Sequence, residues 1–296
     1  MDKPPIWFKL AEEAVSEGKS VFLLGAPDTG KTTLCKFLLE KAIEKGLKVG
    51  YIDADVGQST IGPPTTMGLS ILEKREDLEG LIPFKLYFLG ATSPAQWLLR
   101  SVVGLKKLMD KALERRVDFT LIDTTGLVTG EVGFQLKFYE IEITDPTHLV
   151  AIERGGELEP ILKAFVGRSK PKQYVILPSE KVRRRDLTQR QHYRQQKLSL
   201  YFKNSEILNF EKGLLKNFKG DQSFPLDGRI VGLLDEEGFA LGIGVITGIK
   251  EREIEVLTPI KAQEAVKALW LGEVKLEGVL RMYATPEEGF RDEGEL

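Results

Sequence analysis

Three short segments carry side chains of the kinds that handle phosphate. Gly25-Ala26-Pro27-Asp28-Thr29-Gly30-Lys31-Thr32, with Thr33 directly behind, has the spacing G-x-x-x-x-G-K-[ST]. Glycines at those places let backbone amides curl around phosphate oxygens, and a helix starting there adds the partial positive charge of its N-terminus. Lys31 is then placed for the β- and γ-phosphates of a nucleotide, and the Thr32 hydroxyl for Mg²⁺. The segment Asp53-Ala54-Asp55-Val56-Gly57-Gln58 offers two carboxylates two residues apart. Such groups orient a metal or take a proton from an attacking hydroxyl. Asp123-Thr124-Thr125-Gly126 sets an acid behind the largely apolar run Phe119 to Ile122, where P-loop proteins hold their metal directly or through water. Spacing leaves open how Asp53, Asp55 and Asp123 divide that task, and solvated turn acids are the plainer alternative. Finally, Lys181 to Lys197 holds seven Lys or Arg against one acid, Asp186. Arg190 and Arg194, four apart, share a helix face, with Arg183, Arg184 and Arg185 just before. Guanidinium groups on a helix folded over the phosphate loop would stabilise charge on a transferring phosphoryl group. A solvated basic face and a passive nucleic-acid patch are the competing readings.

The elements that must position these residues alternate in type. Val21 to Leu24 reads as a buried strand ending at Gly25, and Thr32 to Lys45 as a helix with Leu34, Phe37, Leu38 and Ala42 on one face. Strands follow at Lys48 to Ile52, closed by Asp53, at Lys85 to Leu89, and at Phe119 to Ile122, closed by Asp123. Ala95 to Arg115 has helix length and period, and a helix is expected from about Glu131. Leu149 to Ile152 reads as a strand, Glu157 to Val166 as a helix and Tyr174 to Leu177 as a last strand. Strands separated by helices imply an α/β fold with a parallel sheet covered on both faces. Its binding crevice lies at the C-terminal strand ends, where all three segments fall. Beyond Phe224 the signals turn to β, at Arg229 to Leu234, Phe239 to Ile246 and Ile254 to Leu257, with Val274 to Tyr283 able to close that sheet. The expected division is a domain over 1–204, including a basic helix over about 181–202, and a small, mostly-β domain over 205–296. Glu287 to Leu296 is an acidic tail.

Composition narrows the function classes. The 296 residues are 42% hydrophobic and 29% charged, enough for a core beneath a charged surface, which excludes a disordered chain. Net charge is −2, so any polyanion site must be local, as the basic stretch is. One cysteine, Cys35, excludes a disulfide framework, a thiolate zinc site and a CxxC redox pair; two histidines, His148 and His192, exclude a His-rich metal site. His148 reads as a helix-to-strand residue and His192 as a surface residue, while Trp7, Trp97 and Trp270 read as core or interface. No apolar stretch nears the roughly 18 residues of a membrane helix, and MDKPPIWFKL carries no secretory pattern. The expectation is a soluble cytoplasmic protein without a membrane partner.

Taken in order, GAPDTGKTTL, DADVGQSTIGPP, GATSP at 90–94, DTTGLVTG at 123–130 and RQHYRQQKLSLYF at 190–202 resemble the polynucleotide 5′-hydroxyl kinase family. That family includes the RNA kinase of the eukaryotic pre-mRNA cleavage factor, a nucleolar branch and shorter archaeal enzymes. The resemblance spans about residues 20–202 and implies a P-loop NTPase fold with a helical lid. It implies transfer of the γ-phosphate of ATP, or another NTP, to the 5′-OH end of single-stranded RNA and often DNA, with Mg²⁺ or another divalent metal. By the same resemblance Asp55 activates the 5′-hydroxyl near the metal. Thr92-Ser93-Pro94 and Thr124-Thr125-Gly126-Leu127 form a clasp on the first nucleotides, with Gln58 on the same side. Arg190 and Arg194 close over the triphosphate, and Arg185 is a further lid residue. Two departures stand out. Leu127 replaces the tryptophan usual after the clasp glycine, and the phosphate loop begins at Gly25, without the large preceding domain of the eukaryotic members. Two other readings of the same fold remain: a nucleotide-driven ATPase or GTPase switch with water as acceptor, and a non-catalytic ATP-holding subunit of RNA processing. Protein partners are left open.

Overall fold

Helix α1 (Pro5–Glu17) leads into β1 (Ser20–Gly25), α2 (Lys31–Glu44) and β2 (Val49–Asp53). There follow β3 (Thr66–Leu72), β4 (Lys85–Phe88), α3 (Leu98–Glu114), β5 (Phe119–Asp123), α4 (Gly130–Thr144), β6 (His148–Ile152), α5 (Glu159–Lys163) and β7 (Lys172–Ile176). Helix α6 (Leu187–Phe202) comes next, then β8 (Glu206–Glu211), β9 (Leu215–Lys216), β10 (Arg229–Leu234), β11 (Ala240–Ile249), β12 (Glu253–Thr258) and β13 (Ala268–Lys275). This computed structural model describes residues 3–17, 19–179, 182–183, 185–216 and 225–276.

One mixed sheet runs in the order β7-β6-β1-β5-β2-β3-β4-β11-β10-β13-β9, with β12 and β8 paired off β11. The stretch from β7 to β2 is parallel. Strands β6, β1, β5 and β2 are buried on both faces, which is why β1 reads as an unbroken apolar run, while β7 at the edge is part-exposed. Val21 and Leu23 point to a layer with α1 and α2; Phe22 and Leu24 point to one with α3, α4 and α5. A third core, with Val231, Leu233, Ile246, Ile254, Val256 and Leu269, lies among the C-terminal strands.

The sheet departs from the expected all-parallel form beyond β2. Strand β3, not foreseen, lies antiparallel to both β2 and β4. Gly68 and Ser70 hold buried places in it, and small residues there dilute the β-branched signal. Helix α1 and strand β8 were also unforeseen, and α5 is only Glu159–Lys163 rather than Glu157 to Val166. The junction to the C-terminal strands is the bridge Ala240↔Leu86. It is supported by Tyr201 of α6, whose hydroxyl accepts from the Ile243 amide at 2.9 Å. The strand that pairs with β10 is β13, Ala268–Lys275, ahead of the expected Val274 to Tyr283; residues 277–283 and the acidic tail lie outside the described residues. No helix among the described residues is long and apolar enough to cross a membrane.

Helix α6 carries Arg190, Arg194 and Lys197 of the basic stretch, but it starts at Leu187, later than the expected 181, because Asp186 caps it there. Asp186 starts it with a capping box, accepting from the Gln189 amide at 2.7 Å while Gln189 Oε1 accepts from the Asp186 amide at 3.1 Å. Buried Leu198 and Phe202 anchor its C-terminal end. Lys181 and Arg184 lie outside the described residues.

Candidate active site

The phosphate loop crosses from β1 to α2, with Gly30 at φ +96° just ahead of the helix. Asp28 also sits in the left-handed region, at φ +53°. Lys31 is nearly buried and curls back on its own loop. Its ammonium donates to the carbonyls of Gly25 at 2.9 Å and Ala26 at 3.0 Å. Burial pulls its pKa down, opposed by Asp123, Asp55 and Asp28. The Thr29 hydroxyl donates to Ala26 O at 3.0 Å, and Thr33 lies exposed on the first turn of α2. The Thr32 hydroxyl donates to Asp123 Oδ2 at 2.7 Å.

The three acids end up in different states. Asp53 and Asp123 lie side by side in register at the ends of β2 and β5. Asp53 Oδ2 accepts from Thr60 Oγ1 at 2.9 Å and from the amides of Thr60 and Ile61, and Oδ1 accepts from the Asp55 amide at 3.0 Å. Its oxygens thus hold the 54–61 loop. Burial, then Asp123 and Asp55, raise its pKa to about 7. Asp123 has the opposite balance. Beyond Thr32 on Oδ2, its buried Oδ1 has no hydrogen-bond partner among the described residues. Burial lifts its pKa to about 6 against the pull of Lys31 and the Thr32 hydroxyl. Asp55 is half-buried: Oδ1 accepts from the amides of Gly57 and Gln58, both at 3.1 Å, and Oδ2 keeps no partner among the described residues.

A divalent cation fits Thr32 and Asp123, since an orphaned buried carboxylate oxygen beside a hydroxyl is a hard-oxygen donor pair. Mg²⁺ is commonly held by one or two carboxylates together with phosphates and water. Among the described residues no cluster of three or more His, Cys, Asp or Glu could hold a metal ion.

The expected acceptor side is less uniform. Gly126 packs on the phosphate loop so closely that a Cβ there would stand 2.5 Å from Pro27 N. Thr125 Oγ1 accepts from the Leu127 amide at 3.0 Å, and Leu127 is half-buried. Thr124, by contrast, is fully buried and donates to Leu23 O at 2.7 Å, tying β5 to β1 instead of facing the groove. Ser93 is exposed and Thr92 half-buried on the loop after β4.

Helix α6 and the residues just before it reach this site through cations. Arg190 Nη2 meets Asp28 Oδ2 at 2.6 Å, and the Arg185 amide donates to the same oxygen at 3.0 Å. Arg185 Nη1 donates to Gln58 Oε1 at 3.0 Å. Arg194 makes no hydrogen bond or ion pair among the described residues. Burial and Arg190 lower its pKa while the nearby Asp55 carboxylate opposes them. One functional candidate escaped the sequence reading: Arg154, just past β6, donates from Nη1 to Pro27 O at 3.4 Å and from Nη2 to Asp28 O. Its signal was an arginine right after an apolar strand, but only the order β6-β1 puts that strand end beside the phosphate loop.

Comparison with known proteins shows the family of the chain. A family model described as mRNA cleavage and polyadenylation factor CLP1 P-loop matches residues 25–204. The polyribonucleotide 5′-hydroxyl-kinase of Pyrococcus horikoshii is 32% identical, over 90% of this chain and 89% of that protein. The protein of the same description from Methanocaldococcus jannaschii is 31% identical, over 87% of each. Among solved structures, the Clp1p–Pcf11p complex matches with a TM-score of 0.72 at 16% identity, covering 92% of this chain and 78% of that one, a likeness of fold. On the extent of the family match and of the archaeal identity, the chain belongs to the CLP1 P-loop family.

Proposed function

We propose that the chain is a polyribonucleotide 5′-hydroxyl kinase, moving the γ-phosphate of ATP to the 5′-OH end of single-stranded RNA, and of DNA where it fits the same groove. The observation that carries this reading is Asp55. One oxygen is fixed by two backbone amides and the other keeps no partner among the described residues, within reach of the charges of Lys31 on the phosphate loop and Arg194 on α6. A switch that activates only water has no use for a clasp and lid around such a base.

In the proposed reaction Asp55 Oδ2 takes the proton of the 5′-hydroxyl as its oxygen bonds to the γ-phosphorus. The bond from that phosphorus to the bridging oxygen breaks, and ADP leaves. Lys31 must leave the carbonyls of Gly25 and Ala26 to reach the phosphates, so its charge is delivered when a nucleotide competes for it. Arg194, and Arg190 once released from Asp28, neutralise charge that grows on the transferring group; planar guanidinium groups suit its oxygens. A divalent cation on Thr32 and Asp123 would screen the phosphate oxygens and so favour attack by an anionic hydroxyl. Thr92, Ser93, Thr125, Gly126 and Leu127 line the acceptor side, Thr124 holds their base in place, and the enzyme works in the cytoplasm.

The test is incubation with γ-labelled ATP, Mg²⁺ and a 5′-OH oligoribonucleotide against the 5′-phosphorylated form. Label is expected on the first alone. Release of phosphate without labelled RNA would overturn the proposal in favour of a hydrolytic switch.

A further inference from the structure

The loop after β4 is wedged between two segments far apart in sequence. On one side lies Gly57, two residues past Asp55: a Cβ there would stand 2.9 Å from the carbonyl oxygen of Thr92. On the other lies β13. Gly90, at φ +81°, faces Gly272 so closely that a Cβ on Gly272 would stand 2.9 Å from Gly90 O and 3.1 Å from its Cα. Glycine at both places permits that backbone approach. The Glu273 amide then donates to Gly90 O at 2.8 Å. This bond belongs to no ladder, since β13 pairs with β10 and β9, and β4 pairs with β3 and β11. Beside it the Trp270 ring carries the Arg100 guanidinium 4.4 Å from its centroid and stands edge-on to Tyr87. Arg100 lies on the first turn of α3, into which the same loop runs.

We infer that β13 is a positioning strand for the acceptor, setting the loop of Thr92 and Ser93 against Gly57 and hence the 5′-hydroxyl against Asp55. This rests on the kinase reading above. Backbone packed on backbone at both sides of the loop leaves it little slack, so a displacement at Gly272 is passed on to Thr92. The C-terminal strands thereby act on RNA without touching the nucleotide, whose loop is held by β1, β5, β6 and α6.

The experiment is steady-state kinetics of Gly272→Ala and Trp270→Leu with a 5′-OH oligoribonucleotide, with thermal melting alongside. Gly272→Ala is expected to raise KM for the oligonucleotide about tenfold, and Trp270→Leu about threefold, with KM for ATP within about twofold of wild type. Should the variants fold poorly, hydrogen exchange on the wild-type protein decides. The 5′-OH oligoribonucleotide should slow exchange across 268–275 together with 90–97, and a non-hydrolysable ATP analogue alone should not. An unchanged oligonucleotide KM in a well-folded Gly272→Ala protein, or exchange in β13 indifferent to the oligonucleotide, overturns the inference. Failure of the kinase reading shows separately, as no label transfer by wild-type protein.

Discussion

On the proposed reading the groove has a donor half and an acceptor half, and the two are built on different principles. The donor half rests on strand ends of the parallel sheet, β1, β5 and β6, and its groups are local or one strand apart: Lys31 on Gly25 and Ala26, Thr32 on Asp123, Arg154 on Pro27. The acceptor half is made of loops after β2, β4 and β5, held by contacts between distant segments, such as Glu273 on Gly90 and Gly57 on Thr92. A triphosphate is a fixed shape that one motif can cradle, whereas a polynucleotide end must be aimed. If that reading holds, charge and motif serve binding of the donor, and packing serves placement of the acceptor.

The largest test breaks the donor half alone. Lys31→Ala should reduce transfer by about 10²–10³-fold or more, because the phosphates lose a preorganised cation, while oligonucleotide binding measured by fluorescence anisotropy stays near wild type. Chelation of divalent metal should stop transfer in the same assay. Near-normal turnover by Lys31→Ala would remove this loop from the reaction.

Asp55→Asn strikes where the halves meet. Loss of a general base typically costs about 10²–10⁴-fold, so kcat should collapse while ATP binding by calorimetry persists. A variant that cannot bind ATP with Mg²⁺ would instead make Asp55 part of the donor half.

A lid contact made mainly in the transition state should appear in kcat. Arg194→Ala, and likewise Arg190→Ala, is expected to lower kcat by about 10²-fold with a small change in oligonucleotide affinity. Lysine at either place should rescue poorly, lacking the planar fork. If both alanine variants only weaken RNA binding in a salt-dependent way, the lid belongs to the acceptor half as a passive patch.

The smallest effect sharpens the acceptor half. Leu127 is half-buried beside Gly126. A stacking platform is worth ~1–3 kcal/mol per base, and Leu127→Trp should lower KM for the oligonucleotide several-fold, most for purine ends. A lower melting temperature with unchanged preference among terminal bases would show overpacking instead.

How far the site was legible follows from the range of the forces involved. The phosphate loop, the Asp55 segment and the Asp123 strand end were readable because each is one short stretch whose backbone geometry is dictated by its own glycines and flanking apolar runs. The basic helix was readable as well, although its start at Leu187 and its Asp186 cap were not. Other features depended on neighbours remote in sequence. Asp53 and Asp123 look alike as acids closing strands, yet Thr60 and Ile61 fill the first and leave Oδ1 of the second open. Thr124 looks like a clasp residue until β1 takes its hydroxyl. Strand β3 hid behind its small buried residues, and Arg154 and Gly272 carry no motif at all. By itself the sequence determined which chemical groups this protein owns and the local turns that expose them. Tertiary structure alone decided which of their atoms remain available, because a hydrogen bond or backbone contact from a distant strand either takes an oxygen out of play or aims it.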